Sequence, residues 1–204
     1  MTTPEQPRFA TWEERYQTQP VESLPWFNPE LDADIAAALV TTGLQGGAAL
    51  DLGTGPGTQA IQLARRGFRV TATDISTTAL ALAQARAEAE GVDVRWVQDD
   101  ILSTHLQEQY TLIVDRGCFH VLAPEQRSTY VDVVARLLVP QGYYFLKCFS
   151  HLQPGTEGPA RFTPAQIREL FSGLFAIQSI AETIYHGTLV PPPRALFCVM
   201  RRLA

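Results

Sequence analysis

Apolar and polar positions divide the chain into two textures. Up to residue 47 it is polar, interrupted by the aromatic side chains Trp12, Tyr16, Trp26 and Phe27. From Ala48 onward, short apolar β-type runs alternate with stretches whose apolar residues recur at helical spacing. The runs cover 48–52, 69–74, 92–97, 110–115 and 143–148, with two more near 175–185 and 195–200. Between them the pattern predicts helices over 57–66, stopped by Gly67, and over the Ala-rich stretch 77–90, stopped by Gly91. A third starts at Pro124 and carries Tyr130, Val133, Val134, Leu137 and Leu138 on one face, ending before Pro140. Thr163-Pro164-Ala165-Gln166 joins a Thr cap, a Pro at the first helical position and a Gln three residues on, which starts a fourth helix running to about Phe171. Strands and helices that alternate in this way form an α/β fold, a doubly wound, mostly parallel sheet with helices on both faces.

The 204 residues suit one domain, 48–204, with an N-terminal helical and aromatic extension over 1–47 that reads as a lid. A net charge of −5 leaves no basic field for nucleic acid, and the only Arg pairs are Arg65-Arg66 and Arg201-Arg202. The polar start carries no apolar signal core, and no uncharged run is long enough to span a bilayer, so a cytoplasmic protein without a membrane partner is expected. Cys118, Cys148 and Cys198 lack CxxC spacing and sit in apolar runs, which predicts reduced core thiols rather than a metal site.

The chemistry concentrates in the turn Asp51-Leu52-Gly53-Thr54-Gly55-Pro56-Gly57 after the first run. Glycine there lets the backbone approach a cofactor closely and adopt positive φ. A dinucleotide fingerprint would place Gly or Ala at position 58, which is Thr, and a P-loop needs a lysine where none stands; the chain's one lysine is Lys147. Asp51, two places before Gly53, would repel a pyrophosphate but suits the cationic amino group of a methionine moiety. The charge pattern therefore favours S-adenosylmethionine (SAM) over NAD. Asp74, about twenty residues on at the end of the second run, can accept both ribose hydroxyls. Asp99 or Asp100 after the third run can accept the adenine amine, with Ile101 against the ring. The candidate cofactor-binding set is Trp26, Asp51, Gly53, Thr54, Gly55, Asp74, Ile75, Asp99, Asp100, Ile101 and Asp115.

This ordered set resembles the class I SAM-dependent methyltransferases, whose Rossmann-like sheet has seven strands with the last one antiparallel. Asp115-Arg116-Gly117, Leu146-Lys147-Cys148-Phe149-Ser150, Gly158-Pro159-Ala160-Arg161-Phe162-Thr163, Trp12-x-x-Arg15-Tyr16 and Leu24-Pro25-Trp26-Phe27 look similar to the thiopurine, thiol and tellurite methyltransferase group. The resemblance implies methyl transfer to a small soft nucleophile, a thiol, selenium or tellurium species. A small oxygen or nitrogen acceptor and a non-catalytic SAM-binding module stand as rivals. Ligands of open α/β sheets bind beyond the carboxyl ends of the strands. That location nominates Phe27, Phe119, His151 and Arg161 for the acceptor, and His120 and Arg116 for proton acceptance or orientation, with no metal. The acceptor's identity and the oligomeric state are not encoded in any local motif.

Overall fold

The computed structural model describes residues 8–204. Its centre is a mixed sheet in the order β3-β2-β1-β4-β5-β8-β7, built from β1 (Gly47–Leu52), β2 (Phe68–Asp74), β3 (Arg95–Gln98), β4 (Tyr110–Arg116), β5 (Leu138–Ser150), β7 (Phe175–Ile184) and β8 (Arg194–Arg202). A two-residue strand, β6 (Arg161–Phe162), adds to β5. β1 to β5 are parallel, while β8 runs antiparallel to both β5 and β7. The doubly wound class and the antiparallel last strand thus hold, with β6 as an eighth short strand that the apolar pattern does not reveal.

Among the described residues there are six α-helices, α1 (Arg8–Thr18), α2 (Ala33–Thr42), α3 (Thr58–Ala64), α4 (Thr77–Ala89), α5 (Arg127–Leu137) and α6 (Pro164–Phe171), besides short 3-10 turns. Their ends follow local chemistry. Ser76 caps α4 by accepting from Ala79 N–H at 3.0 Å, and Thr163 with Gln166 forms the capping box read from the sequence at α6. α2 stops at Gly43, whose φ of 71° is left-handed. Two apolar layers bury the sheet. Leu50, Leu52, Ile113, Tyr144 and Leu146 face α5 and α6 across one layer, and Ala49, Val70, Leu112, Val114 and Phe145 face α2 and α3 across the other.

Several boundaries differ from the pattern: β3 begins at Arg95 rather than 92, and α5 at Arg127 after a 3-10 turn over Pro124–Gln126, but the largest shift is at β5. β5 begins at Leu138, five residues earlier than expected, and runs through Pro140. Pro is tolerated there because the pairing with β4 is irregular between Tyr110 and Leu112, and Gln141 takes φ 65° beside it. No helix among the described residues is long and apolar enough to cross a membrane.

Candidate active site

At the carboxyl end of β1 the chain turns through Gly53, Gly55 and Gly57, with φ of 61°, 53° and 79°. Thr54 N–H donates to Thr73 O of β2 at 2.9 Å, and Gly57 N–H donates back to Thr54 O at 3.0 Å. Gly57 cannot be replaced freely: a Cβ there would lie 2.7 Å from Ala83 Cβ and 2.8 Å from Trp96 Cη2, so the turn packs directly on α4 and β3. At Gly55 a Cβ would reach 2.6 Å from the Tyr16 hydroxyl of α1.

Two carboxylates flank this turn from below. Asp51 is buried, receives the Thr54 hydroxyl at 2.5 Å, and burial pushes its carboxyl up to about 7. Asp74 accepts Gly55 N–H at 2.8 Å with one oxygen and Ser76 N–H at 2.9 Å with the other. Burial again raises it above the usual carboxylate range, against the pull of those amides. A carboxylate offers about four acceptor sites, so beside the amides of Gly55, Ile75 and Ser76 Asp74 retains capacity for a further donor.

The turn opens on a recess of about 40 Å³ lined by Trp26, Phe27, Asn28, Asp51, Gly53, Thr54, Gly55, Pro56, Thr58, Gln59 and Arg116. The structure therefore brings together in one place the candidates Trp26, Phe27, Asp51, Gly53, Thr54, Gly55 and Arg116. Ile75 and Asp99 lie at the next strand ends. Gln98 Nε2 donates to Ile75 O, Asp99 N–H donates to Asp74 O, and the Asp99 carboxylate accepts His105 N–H at 3.0 Å. Asp100 caps a short 3-10 turn through Leu102 N–H, which leaves the Ile101 side chain 5% exposed in the core.

The remaining candidates are committed elsewhere. Asp115 accepts the N–H groups of Gly117, Cys118 and Phe119 at 2.9, 2.7 and 2.8 Å and also the Tyr130 hydroxyl; burial outweighs these donors and holds its carboxyl up to about 6. Arg116 spreads its guanidinium over Asp32 Oδ2 at 2.8 Å, Trp26 O at 3.0 Å and His186 O at 2.5 Å, clamping three separate segments. His120 is buried, its Nδ1 accepts Phe149 N–H at 3.1 Å, and burial with the nearby Arg116 charge depresses it to about 3. The imidazole is neutral there, with its proton on Nε2. Phe119 is fully buried among Tyr130, Phe162 and Phe171. Arg161 organises its own loop by donating to the carbonyls of Gln153, Pro154, Glu157 and Pro159, and His151 lies 3.8 Å from Glu182 on the outer side of the sheet's end.

An ionic cluster was missed. Lys147, fully buried in β5, donates to both oxygens of Asp32 at 2.8 Å and to Asp34 at 2.7 Å, while Tyr185 donates to Lys147 O. Burial works against ionisation of Asp32, but the Lys147 ammonium and the Arg116 guanidinium prevail and hold it below the usual carboxylate range. The signal was available: a lone lysine inside the apolar run 143–148 must find carboxylates. What no local pattern gave was that they come from the cap of α2, more than a hundred residues earlier.

Residues 49–142 match the family model for a methyltransferase domain. Over 178 residues it is 27% identical to the 2-heptyl-1-hydroxyquinolin-4(1H)-one methyltransferase of Mycobacteroides abscessus, covering 83% of this chain and 78% of that one. A protein solved in work on the conversion of a disulfide bond into a thioacetal group during echinomycin biosynthesis superposes with TM-score 0.82 at 23% identity, over 96% of this chain and 93% of that one. TehB from Haemophilus influenzae superposes with TM-score 0.71 at 20% identity, over 85% and 63%. The chain is thus a methyltransferase. The glycine cradle and the buried carboxylates of this methyltransferase fit a ligand that is part cation and part nucleoside.

Proposed function

We propose that this methyltransferase transfers the methyl group of SAM to a small acceptor that brings its own reactive nucleophile, a thiol, selenium or tellurium species. SAM supplies an electrophilic methyl on a sulfonium. In this reading Asp51 faces its amino group, Asp74 accepts its ribose hydroxyls, and Asp99 or Asp100 meets the adenine. The segment before β1, with Trp26 and Phe27 over the turn, is the lid that excludes water, which in-line displacement of a sulfonium requires together with alignment.

The observation that carries the acceptor class is the commitment of the ionisable groups beside the recess. His120 already accepts an amide proton, Arg116 and Lys147 are tied to carboxylates and carbonyls, and Asp115 is spent on four donors. An acceptor that arrives deprotonated needs no base from the protein, whereas a neutral hydroxyl or amine does. The test is the variant His120→Asn, whose amide oxygen can still accept Phe149 N–H, assayed with labelled SAM against thiols, selenols and tellurite-derived species. Turnover within about fivefold of wild type is expected; a loss of about 10²–10⁴ would make His120 a general base and overturn the reading. A second reading, methylation of a hydroxyl on an aromatic heterocycle, is favoured by the Mycobacteroides relative, which acts on a hydroxyquinolone. Including a hydroxyquinolone in the panel separates the two.

The Asp51 assignment carries a pH dependence. Its folded carboxyl sits near 7, above its ordinary value of 3.8, so between these values the free protein retains a proton that the unfolded chain has lost. This group's contribution to stability accordingly falls as pH rises from about 4 to 7. A cationic amino group binds the ionised form, so cofactor affinity should rise about tenfold from pH 5.5 to 7, with proton release on binding. A flat profile in calorimetry over that window would remove Asp51 from the amino-group site.

A further inference from the structure

Among its described side chains, α1 reaches the body of the protein through three. Trp12 stands edge-on to Trp26 at 5.5 Å between ring centres, and the Tyr16 hydroxyl lies against Gly55. The third is Glu13, whose carboxylate meets the first turn of α4. It accepts the Ser76 hydroxyl at 2.7 Å, the Thr78 hydroxyl at 2.5 Å, and the Thr78 N–H and Thr77 hydroxyl at 3.3 Å. Ser76 thereby joins two carboxylates: its N–H goes to Asp74 and its O–H to Glu13.

This placement has a mechanical consequence. The recess beside Trp26, against whose ring Trp12 and Tyr16 of α1 pack, measures about 40 Å³, whereas sites for ligands of cofactor size occupy roughly 300–1,000 Å³. Cofactor exchange at the glycine turn therefore requires α1 to lift. The ring contact of Trp12 is non-directional and can slide, whereas the hydrogen bond between Tyr16 and Trp26 and the Glu13 contacts are directional and must break, the Glu13 set being the larger. They are charge-assisted, and they end on the helix whose N-terminal side holds Asp74.

We propose that Glu13 is a positioning residue that latches α1 onto the start of α4, and so sets how fast the nucleoside cofactor is released. Glu13 touches neither the reacting atoms nor the acceptor; it acts through the roof it holds. The proposal rests on the cofactor reading above, and its test separates the two. Glutamine at position 13 has one acceptor oxygen and an amide that faces hydroxyl donors, so it cannot reproduce four accepted bonds.

Release of S-adenosylhomocysteine would be followed by stopped-flow fluorescence of Trp12 and Trp26 in wild type, Glu13→Gln, Thr78→Val and the double variant. Both single variants should release the ligand about tenfold faster, with the KM for SAM raised and the acceptor KM unchanged. The double variant should release the ligand no faster than Glu13→Gln alone, because the Thr78 hydroxyl acts only through Glu13. Wild type that binds with off-rates unchanged within twofold in both single variants would overturn the latch alone. Absence of binding by wild type would overturn the cofactor reading, and the latch with it. Equal losses in acceptor KM and SAM KM would mark a general structural defect and count against the latch.

Discussion

Replacing Lys147 by alanine is expected to lower stability by about 3–5 kcal/mol, a fall in Tm on the order of 10 °C or more. The ammonium is fully buried and stands between Asp32 and Asp34, with Asp32 itself fully buried. Its loss leaves Asp32 to Arg116 and the Asp34 N–H that it caps, and leaves Asp34 with the Thr183 hydroxyl. A buried carboxylate without its counter-ion is costly because the surrounding apolar layer cannot replace its hydration. The exposed pair Arg95–Glu108 provides the contrast, with both side chains more than half accessible. Arg95→Ala should change stability by less than about 1 kcal/mol. Chemical denaturation of both variants checks the difference; a Lys147→Ala loss no larger than that of Arg95→Ala would mean that the buried cluster contributes nothing net to the fold.

The second large effect is expected at Asp74. In Asp74→Asn the side chain can present its oxygen to Gly55 N–H or to Ser76 N–H, but its amide nitrogen then faces the other donor. The glycine turn and the start of α4 lose their common anchor, and the ribose loses a charged acceptor. Charge-assisted hydrogen bonds contribute about 1.5–3 kcal/mol each, so cofactor affinity should fall at least about a hundredfold. Equal affinity in wild type and variant, measured by calorimetry, would displace Asp74 from the site.

Legibility in the sequence followed the range of the interactions. The strand-turn-helix around Gly53, the cap at Thr163 and the stops at Gly67 and Gly91 are local, since each is determined by residues within one or two turns of the chain. They stand in the structure within a few residues of where the pattern places them. Pro140 misled because a proline ends a helix and a regular strand alike, and only the irregular pairing of β5 with β4 makes room for it. The burial of Phe119 has a related cause. Its position just past a strand end predicts a loop at the ligand side, yet Asp115 gathers the next three amides into a tight turn that points the ring into the core.

The site itself was legible in its chemistry and not in its enclosure. Asp51, the glycines and Asp74 announce a cofactor through type and spacing. Glu13 does not, because a glutamate on a polar helix looks like solvated surface until α4 is brought beneath it. Arg116 and His120 show the same limit from the other side. Both read as reactive groups at a strand end, but the segments they bind, 24–34, 147–149 and 186, come from distant parts of the chain.

The central claim is that the turn after β1 holds SAM, and not a dinucleotide. Calorimetric titration of wild type and Asp74→Asn with S-adenosylhomocysteine and with NADH tests it most directly. S-adenosylhomocysteine should bind wild type at one site per chain and bind the variant at least about a hundredfold more weakly, with no heat from NADH. Binding of NADH, or S-adenosylhomocysteine binding that ignores the Asp74 substitution, would contradict the account.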